Sequence, residues 1–212
     1  MNGQAPSGPE TLVRDILQGL AEGRYVPGQR LAEPDLMARS RLGRSTVREA
    51  LGKLAASGVV VQTPHRGAQI RLLTRREARD VLRVTELLLG LAARQAAESV
   101  AAGADPAVLE NAAQDYDAAS TDQPRARARY YRALTTLAGN AELDRLLPML
   151  QVHLIRAQLR ISRPPGRPAR SELVRAVCRG QANLAETAAR GHIRDLIAAL
   201  PDVPDHVFAA DE

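Results

Sequence analysis

The stretch "GRSTVREAL" at residues 43–51 decides the fold of the first third of the chain. Arg44 and Arg48 are four residues apart, so they share one face of a helix, whereas Val47 and Leu51 share another. A helix of this pattern packs its apolar face against a core and presents two arginines at its beginning. The partner of those arginines is therefore the first question that the sequence raises.

The flanking residues predict a winged helix-turn-helix. Apolar residues recur at helical spacing before and within the quoted stretch, and two runs rich in β-branched residues follow it, joined by "PHRG". The predicted elements are helices over 10–23, 33–39 and 44–57, with Gly43 as N-cap of the third, and a two-stranded hairpin of strands 59–63 and 68–72 with Gly67 in its tip. In this arrangement the third helix enters the major groove of DNA, and the hairpin tip reaches the adjacent backbone or minor groove.

The third helix carries side chains suited to double-stranded DNA. The planar fork of Arg44 or Arg48 can donate to both O6 and N7 of guanine. The hydroxyls of Ser45 and Thr46 can bind phosphates near the positive end of the helix. Residues 39–53 contain five basic residues and one acid, which fits a DNA-binding face and also an ordinary solvated helix face.

The amino-acid composition limits which folds and functions are possible for the whole chain. Its 212 residues allow one large domain or two small ones. Four tyrosines and one phenylalanine are the only aromatic residues, so Ala, Leu and Val must fill the core, which favours packed helices. The single cysteine, Cys178, excludes an internal disulfide framework and a multi-cysteine metal cluster, and its helical pattern predicts a buried side chain. The formal net charge of +5 is weak evidence for nucleic acid by itself.

The pattern changes near residue 73 and is helical from there to about residue 200. A capping box is predicted at Thr74 and Glu77. The predicted helices span 74–103, 105–120, 125–138, 140–161 (one helix, or two broken near Pro148), 169–190 and 191–200, with the loop "SRPPGRP" at 162–168. The predicted fold is mainly α: a disordered N-terminus (1–9), a winged helix-turn-helix (10–73), an all-helical domain (74–200) and a C-terminal tail (201–212).

Other functional classes lack support in the sequence. No apolar run is long enough to cross a membrane, and the first residues do not form a signal peptide, so we expect a cytoplasmic protein with no membrane partner. No nucleophile–base constellation, phosphate-cradling glycine loop or pair of carboxylates is evident, so we do not expect an enzyme.

Residues 23–70 resemble the DNA-binding domain of the GntR family of bacterial transcription regulators. The matching elements are "PG..L" at 27–31, the segment at 43–51 and "P.RG" at 64–67, while Gly43 replaces the usual serine. The resemblance implies operator contacts by Arg44, Ser45 and Arg48, and a wing tip formed by His65, Arg66 and Gly67. It also implies a regulator, usually a repressor, that binds a palindromic operator as a dimer.

The helical half resembles the FCD (FadR C-terminal) effector domain of that family, over segments 81–98, 125–143 and 171–193. Many such domains hold a divalent metal with one Asp and three His, and small carboxylate effectors bind near it. Here those positions fall on Arg127, Tyr131, Arg170 and His192. Arginine has no lone pair to donate to a metal, so we expect neither a metal nor another cofactor.

Two interpretations of this altered pocket remain open. In one, Arg127, Tyr131, Arg170 and His192, together with Arg83, bind a carboxylate or another anionic effector directly. In the other, these positions drifted after ligand binding was lost. The protein is then an effector-independent DNA-binding regulator whose C-terminal domain only dimerises.

A homodimer is expected because one winged helix reads only half of a palindromic site. The run "VTELLLGLAARQAA" at 84–97 is broader than a single core-facing stripe requires. It fits a helix that serves both the core and a dimer seam, and it equally fits a helix buried within a bundle.

Overall fold

The computed structural model describes residues 8–63, 67–119, 123–150, 152–159 and 167–210. The chain divides into two compact units. The first contains the residues up to Leu73 together with 153–160, and the second contains residues 74–152 and 161–212. In the described part of the chain, no helix combines the length and the hydropathy that a bilayer-spanning segment needs.

The first unit is a winged helix. Its elements are α1 (Gly8–Glu22), β1 (Arg30–Leu31), α2 (Glu33–Ser40), α3 (Arg44–Ala56), β2 (Val60–Thr63) and β3 (Gly67–Ile70). The three strands form an antiparallel sheet in the order β1-β3-β2, with Val60 opposite Ile70 and Thr63 opposite Gly67. The predicted hairpin is present. The sequence pattern missed β1, because two residues are too few to show the alternation of a strand.

The core of this unit follows from helical spacing. Leu12, Ile16 and Leu20 recur every four residues on α1 and are buried, and they face the helix that buries Val47 and Leu51. Helix α1 begins at Gly8, earlier than predicted and inside the segment 1–9 that was expected to be disordered; residues 1–7 lie outside the described residues. Proline is tolerated in the first turn of a helix, so Pro9 does not prevent this start.

The turn between α2 and α3 contains an unusual backbone conformation. Arg41 has φ +57°, which makes it the one non-glycine residue of the described chain in the left-handed region. Its N–H donates to the carbonyl of Met37 (2.9 Å) and closes the end of α2. Gly43 is the N-cap of α3, as predicted, and supplies no side-chain cap.

The second unit is all-helical. It contains α4 (Arg75–Ala101), α5 (Ala107–Ala118), α6 (Gln123–Ala138), α7 (Ala141–Met149), α9 (Arg167–Cys178) and α10 (Ala182–Ala199). The long helix α4 is central and packs on α6, α7, α9 and α10. The predicted capping box is present at its beginning: the Glu77 N–H donates to Thr74 Oγ1 (3.1 Å), and the Thr74 N–H donates to Glu77 Oε2 (2.9 Å).

The last two helices meet at a different place from the one predicted. The sequence indicated a break at Gly191, but α10 runs through that residue, and the break lies at Gly180 with φ +67°. A glycine inside a helix costs only about 1 kcal/mol, which the buried Ala189 and Ile193 on either side of Gly191 can offset. At Gly180 a Cβ would lie 3.0 Å from the Cβ of Ala101, so this turn also needs the small residue.

Residues 153–160 group with the first unit, which differs from the predicted placement of 140–161 in the helical domain. Helix α8 (Val152–Leu159) buries Leu154 and Ile155. The buried carboxamide of Gln158 accepts from the Leu73 N–H (3.0 Å) and donates to the Leu73 carbonyl (2.8 Å). These two bonds satisfy backbone groups at the end of the winged helix, which explains why the segment belongs there. The loop at 162–168 lies mostly outside the described residues.

The C-terminal tail of the second unit is docked on the beginning of α4. The guanidinium of Arg75 donates to the carbonyls of Leu200 and Val203 and to the carboxylate of Asp205. It also lies 4.4 Å from the ring centre of Phe208, which is buried. One arginine thus holds four residues of the tail against the second unit.

Candidate nucleic-acid interface and effector site

Arg44 and Arg48 lie side by side on α3, and each side chain is 70% exposed. Both approach the carboxylate of Glu33 on α2, at 3.5 Å from Arg48 Nε and 4.0 Å from Arg44 Nε. Exposed ion pairs of this length stabilise little. Because the closest contacts are made through Nε, the terminal nitrogens of both guanidiniums lie farther from the carboxylate. The arginines are therefore oriented by Glu33 and accessible to a partner.

The two predicted hydroxyl contacts differ in their surroundings. Ser45 is exposed at the beginning of α3, whereas Thr46 is half-buried. The Thr46 methyl group faces the first residue of α1, since a Cβ added at Gly8 would lie 3.1 Å from Thr46 Cγ2. Ser45 is thus the more accessible of the two hydroxyls for a phosphate, and its contact with DNA stays a prediction.

The wing adds one arginine that sequence reasoning missed. Gly67 is exposed and opens β3 with φ +80°, while His65 and Arg66 lie outside the described residues. The exposed side chain of Arg30 on β1 lies beside Gly67, whose added Cβ would be 3.8 Å from its guanidinium. No ion pair of Arg30 is found in the described part of the chain. Its position depends on β1, whose two residues gave no strand pattern from which to predict it.

In the second unit, Arg170 on α9 is buried, and neighbouring side chains balance its positive charge. Its side chain forms an ion pair with Asp117 of α5, and its guanidinium lies 4.3 Å from the ring centre of Tyr116. Burial lowers the pKa of Arg170 from its ordinary value, and Tyr116 opposes that shift. Its Nε has no hydrogen-bond partner among the described residues. The ion pair and the ring contact give this arginine a structural role in the fold.

Three of the four tyrosines cluster next to Arg170. The ring of Tyr130 lies 6.0 Å from that of Tyr116 and 5.1 Å from that of Tyr131, measured between centroids. Tyr130 is buried, and within the described chain its hydroxyl lacks a hydrogen-bond partner. Burial raises the pKa of Tyr130 well above its ordinary value, so this group stays neutral.

A cavity of about 550 Å³ lies between α5 and α9. Its polar lining includes Glu110, Gln114 and Asp117 from α5, Arg170 and Arg175 from α9, and Arg179 directly after α9. Cys178 also lines it, and burial together with Glu110 raises the pKa of this thiol to about 12. A thiol of that pKa is protonated at neutral pH and is a poor nucleophile. The cavity therefore offers charged and polar groups for binding but no activated nucleophile.

The five residues predicted for an effector pocket do not all reach this cavity. Arg170 lines the cavity. Tyr131 contacts Tyr130, and Tyr130 also contacts Tyr116, the ring that packs against Arg170. Arg127 and His192 are half-buried on α6 and α10, and Arg83 is exposed on α4. Within the described residues, no group of three or more His, Cys, Asp and Glu side chains could hold a metal ion.

A winged helix with an accessible arginine pair, followed by an all-helical unit, is the architecture of a DNA-binding transcriptional regulator. Residues 9–70 match the family of bacterial regulatory proteins named gntR, and residues 80–195 match the FCD domain. The chain belongs to the GntR family and carries an FCD domain.

Similar proteins agree with this assignment. The chain is 28% identical over 195 residues to a "Probable D-xylose utilization operon transcriptional repressor" of Paenarthrobacter nicotinovorans, a match that covers 88% of this chain and 86% of that protein. The fold is similar to the crystal structure of a candidate GntR transcriptional regulator from Rhodococcus sp. RHA1, with a TM-score of 0.76, 20% identity, and coverage of 94% of this chain and 100% of the other. It is also similar to E. coli McbR/YncC, with a TM-score of 0.73, 17% identity, and coverage of 93% and 99%.

Proposed function

We propose that the protein is a repressor that binds a palindromic operator as a dimer, and that a small anionic effector in the helical unit controls its release. The observation that carries the DNA-binding part is the pair of arginines on α3, which are 70% exposed and share one weakly bound carboxylate. An exposed ion pair contributes about 0–1 kcal/mol, whereas a bidentate contact of arginine with a base contributes about 1–3 kcal/mol. DNA can therefore displace Glu33 at small cost.

The proposal of repression rests on the relative from P. nicotinovorans, which is named a transcriptional repressor. The dimer and the palindrome are proposed because a single α3 helix can read only one half-site. Two copies related by a two-fold axis would present two such helices to successive major grooves.

Fluorescence anisotropy on DNA from upstream of the protein's own gene tests DNA binding, with scrambled DNA of the same length as reference. The double variant Arg44→Ala, Arg48→Ala should weaken operator binding at least about 30-fold, because each base contact by arginine contributes about 1–3 kcal/mol. The matched control, Arg129→Ala with Arg145→Ala, removes two exposed arginines from the second unit and the same net charge. Equal losses in both double variants would overturn the assignment of α3 as the reading helix.

The effector part of the proposal rests on the cavity beside Arg170. Three arginines and two acids line it, so its lining carries a net positive charge. A small carboxylate could enter and replace Asp117 on Arg170, and the buried Nε of Arg170 offers a further donor. The Arg170–Asp117 ion pair also favours the alternative, in which the charge is already satisfied and the domain serves dimerisation alone.

A screen of small mono- and dicarboxylates by thermal shift, followed by anisotropy on the operator, separates these two functions. A carboxylate effector should raise the melting temperature and release DNA, and the double variant Arg127→Ala, Arg170→Ala should lose both responses. Because the loss of Arg170 also destabilises the fold, each response is measured against the melting temperature and operator affinity of the same variant without acid, below its melting temperature. Stabilisation and release that persist in this variant would overturn the effector site. Operator binding that no acid in the screen changes would support the effector-independent regulator.

A further inference from the structure

Arg30 lies on an edge strand of the small sheet, and its side chain extends toward the wing hairpin. Strand β1 is at one edge of the sheet, and Arg30 stands opposite Gln69 of β3 on the exposed face. The neighbouring pair, Leu31 and Ala68, belongs to the buried face. At Gly67 an added Cβ would be 3.8 Å from Arg30 Nη2 and 3.9 Å from its Nε. The guanidinium is therefore held beside the first residue of β3.

The guanidinium of Arg30 is accessible to a partner. Arg30 is exposed, and it forms no ion pair with any residue that the structure describes. None of the residues in the three described strands is acidic, so the sheet itself supplies no carboxylate. Gly67 has no side chain and adopts φ +80°, a conformation that strains larger residues. The surface beside the guanidinium thus stays uncovered, whereas Arg44 and Arg48 share the carboxylate of Glu33.

The chain also places Arg30 close to the arginine pair of α3. Arg30 precedes Glu33 by three residues, so the two Cα atoms are at most about 11 Å apart. The Glu33 carboxylate in turn approaches Arg44 and Arg48 at 4.0 and 3.5 Å. The major groove of DNA is about 12 Å wide, and phosphates line its edges. A helix that enters this groove with Arg44 and Arg48 would therefore bring Arg30 close to the phosphates at one edge.

We propose that Arg30 binds a backbone phosphate of DNA at the edge of the groove that α3 enters. Its guanidinium lies against the exposed face of the sheet, beside a strand residue, and a group in that position faces the outside of a duplex more readily than the floor of a groove. Contacts to phosphates fix the register and orientation of a protein on DNA and carry no direct sequence information. The inference rests on DNA binding by the winged helix and adds a contact outside both α3 and the hairpin tip.

An exposed charge on an edge strand has a second possible role, which is to prevent the strand from pairing with another sheet. That role does not involve DNA and leaves the salt dependence of DNA binding unchanged. A phosphate contact behaves differently, because each phosphate that a cation neutralises releases counterions from the duplex. The salt dependence of affinity therefore separates the two roles.

Anisotropy across a salt series tests the proposal in the full-length protein, on DNA from upstream of its own gene and on scrambled DNA. Arg30→Ala should weaken binding to both DNAs by the same factor, about three- to tenfold at about 0.1 M salt. The slope of log affinity against log salt concentration should become shallower by about 0.9 for each bound subunit. Arg30→Lys keeps the positive charge, so the slope and most of the affinity should remain.

Arg14→Ala is the matched control, because it removes the same charge from the same unit. Arg14 is exposed and lies two residues from both Leu12 and Ile16, so it is on the opposite side of α1 from the face that packs on α3. This variant should leave the slope unchanged, and circular dichroism with thermal denaturation checks that all variants keep the fold.

Three outcomes would contradict the proposal in different ways. Selective binding whose slope is the same in Arg30→Ala and in the unaltered protein would overturn the phosphate contact and keep the DNA-binding function. A loss confined to the upstream DNA would overturn it in favour of base reading by Arg30. Failure of the unaltered protein to bind either DNA would overturn the function on which the inference rests.

Ethylation interference on the same upstream fragment locates the contact. Ethylation removes the charge of a phosphate, and the modified positions that block binding are mapped along both strands. The unaltered protein and Arg14→Ala should give the same positions, whereas Arg30→Ala should lose at least one of them, since its contact with that phosphate is already absent. Identical maps for all three proteins would exclude the proposed contact.

Discussion

The chain uses arginine in two opposite settings, which the winged helix and the helical unit illustrate. Arg44 and Arg48 are 70% exposed and share one carboxylate at 3.5–4.0 Å, whereas Arg170 is 8% exposed and has an acid and an aromatic ring as close partners. The exposed pair retains most of its hydration and can exchange a weak partner for DNA. The buried arginine has lost its hydration and depends on its partners. Exposure, and not residue type, separates the arginines that only bind a partner weakly from the one that also supports the fold.

The largest effect should come from Arg170→Met. This change removes the ion pair between Arg170 and Asp117 and the contact of the guanidinium with Tyr116, so we expect a loss of about 2–4 kcal/mol in the free energy of unfolding. Urea denaturation measures it. Arg175→Met, on the exposed side of α9, is the control and should change stability by less than about 0.5 kcal/mol. Similar losses in both variants would show that Arg170 is not structurally special.

Glu33→Gln tests whether the shared carboxylate orients the exposed arginines Arg44 and Arg48. Without the carboxylate, Arg44 and Arg48 lose their common orienting group, and the surface gains one unit of positive charge. Binding to scrambled DNA should strengthen, and the ratio of operator to scrambled affinity should fall about two- to fivefold, in line with about 0.2–1 kcal/mol for an exposed ion pair. Anisotropy across a salt series measures both affinities. A selectivity ratio that stays constant would mean that Glu33 does not orient the arginines.

Tyr130→Phe tests a buried hydroxyl group in the helical unit. The Tyr130 hydroxyl is buried and lacks a hydrogen-bond partner among the described residues, so its removal should raise the free energy of unfolding by about 1 kcal/mol. Thermal and urea denaturation check this, with Tyr131→Phe on the same helix as control. A clear loss of stability in Tyr130→Phe would show that the hydroxyl does have a partner in solution.

The smallest effect should come from Arg41→Gly in the turn before α3. A left-handed conformation costs a side-chain-bearing residue about 1–2 kcal/mol, and part of this gain is offset by the greater freedom of glycine in the unfolded chain. The net increase in stability should be about 0.5 kcal/mol. Ala38→Gly, at an exposed position within α2, should instead lower stability by up to about 1 kcal/mol. If both changes destabilised the protein, strain at Arg41 would be excluded.

Local patterns allowed much of the fold to be predicted from the sequence. The three helices and the hairpin of the winged helix, and the Thr74–Glu77 capping box, depend on residues close together in the chain. The errors occurred where distant contacts decide the structure. Strand β1 exists because it pairs with β3. The turn at Gly180 packs against Ala101, whereas Gly191 lies within a helix between the buried residues Ala189 and Ile193.

The same distinction applies to the candidate sites. The exposure of Arg44 and Arg48 follows from the helical spacing of Val47 and Leu51, which the sequence displays. Arg170 has its partner Asp117 at a separation of 53 residues, and no local signal connects the two. The family resemblance could therefore identify Arg170 as a residue of interest, but it could not identify Asp117 as the side chain that neutralises its charge.

The contacts between Arg75 and the C-terminal tail affect how the chain would tolerate truncation. Chain ends usually fray and tolerate truncation or added segments. Here residues 200–208 supply two carbonyl groups, a carboxylate and an aromatic ring to the first residue of the longest helix. Arg75 sits at the positive end of that helix, where a cation is unfavourable without such acceptors. Trimming the chain at residue 200 would thus remove the carboxylate, the ring and one of the carbonyl groups that compensate this cation, so residues 200–208 contribute to the stability of α4 although they lie outside it.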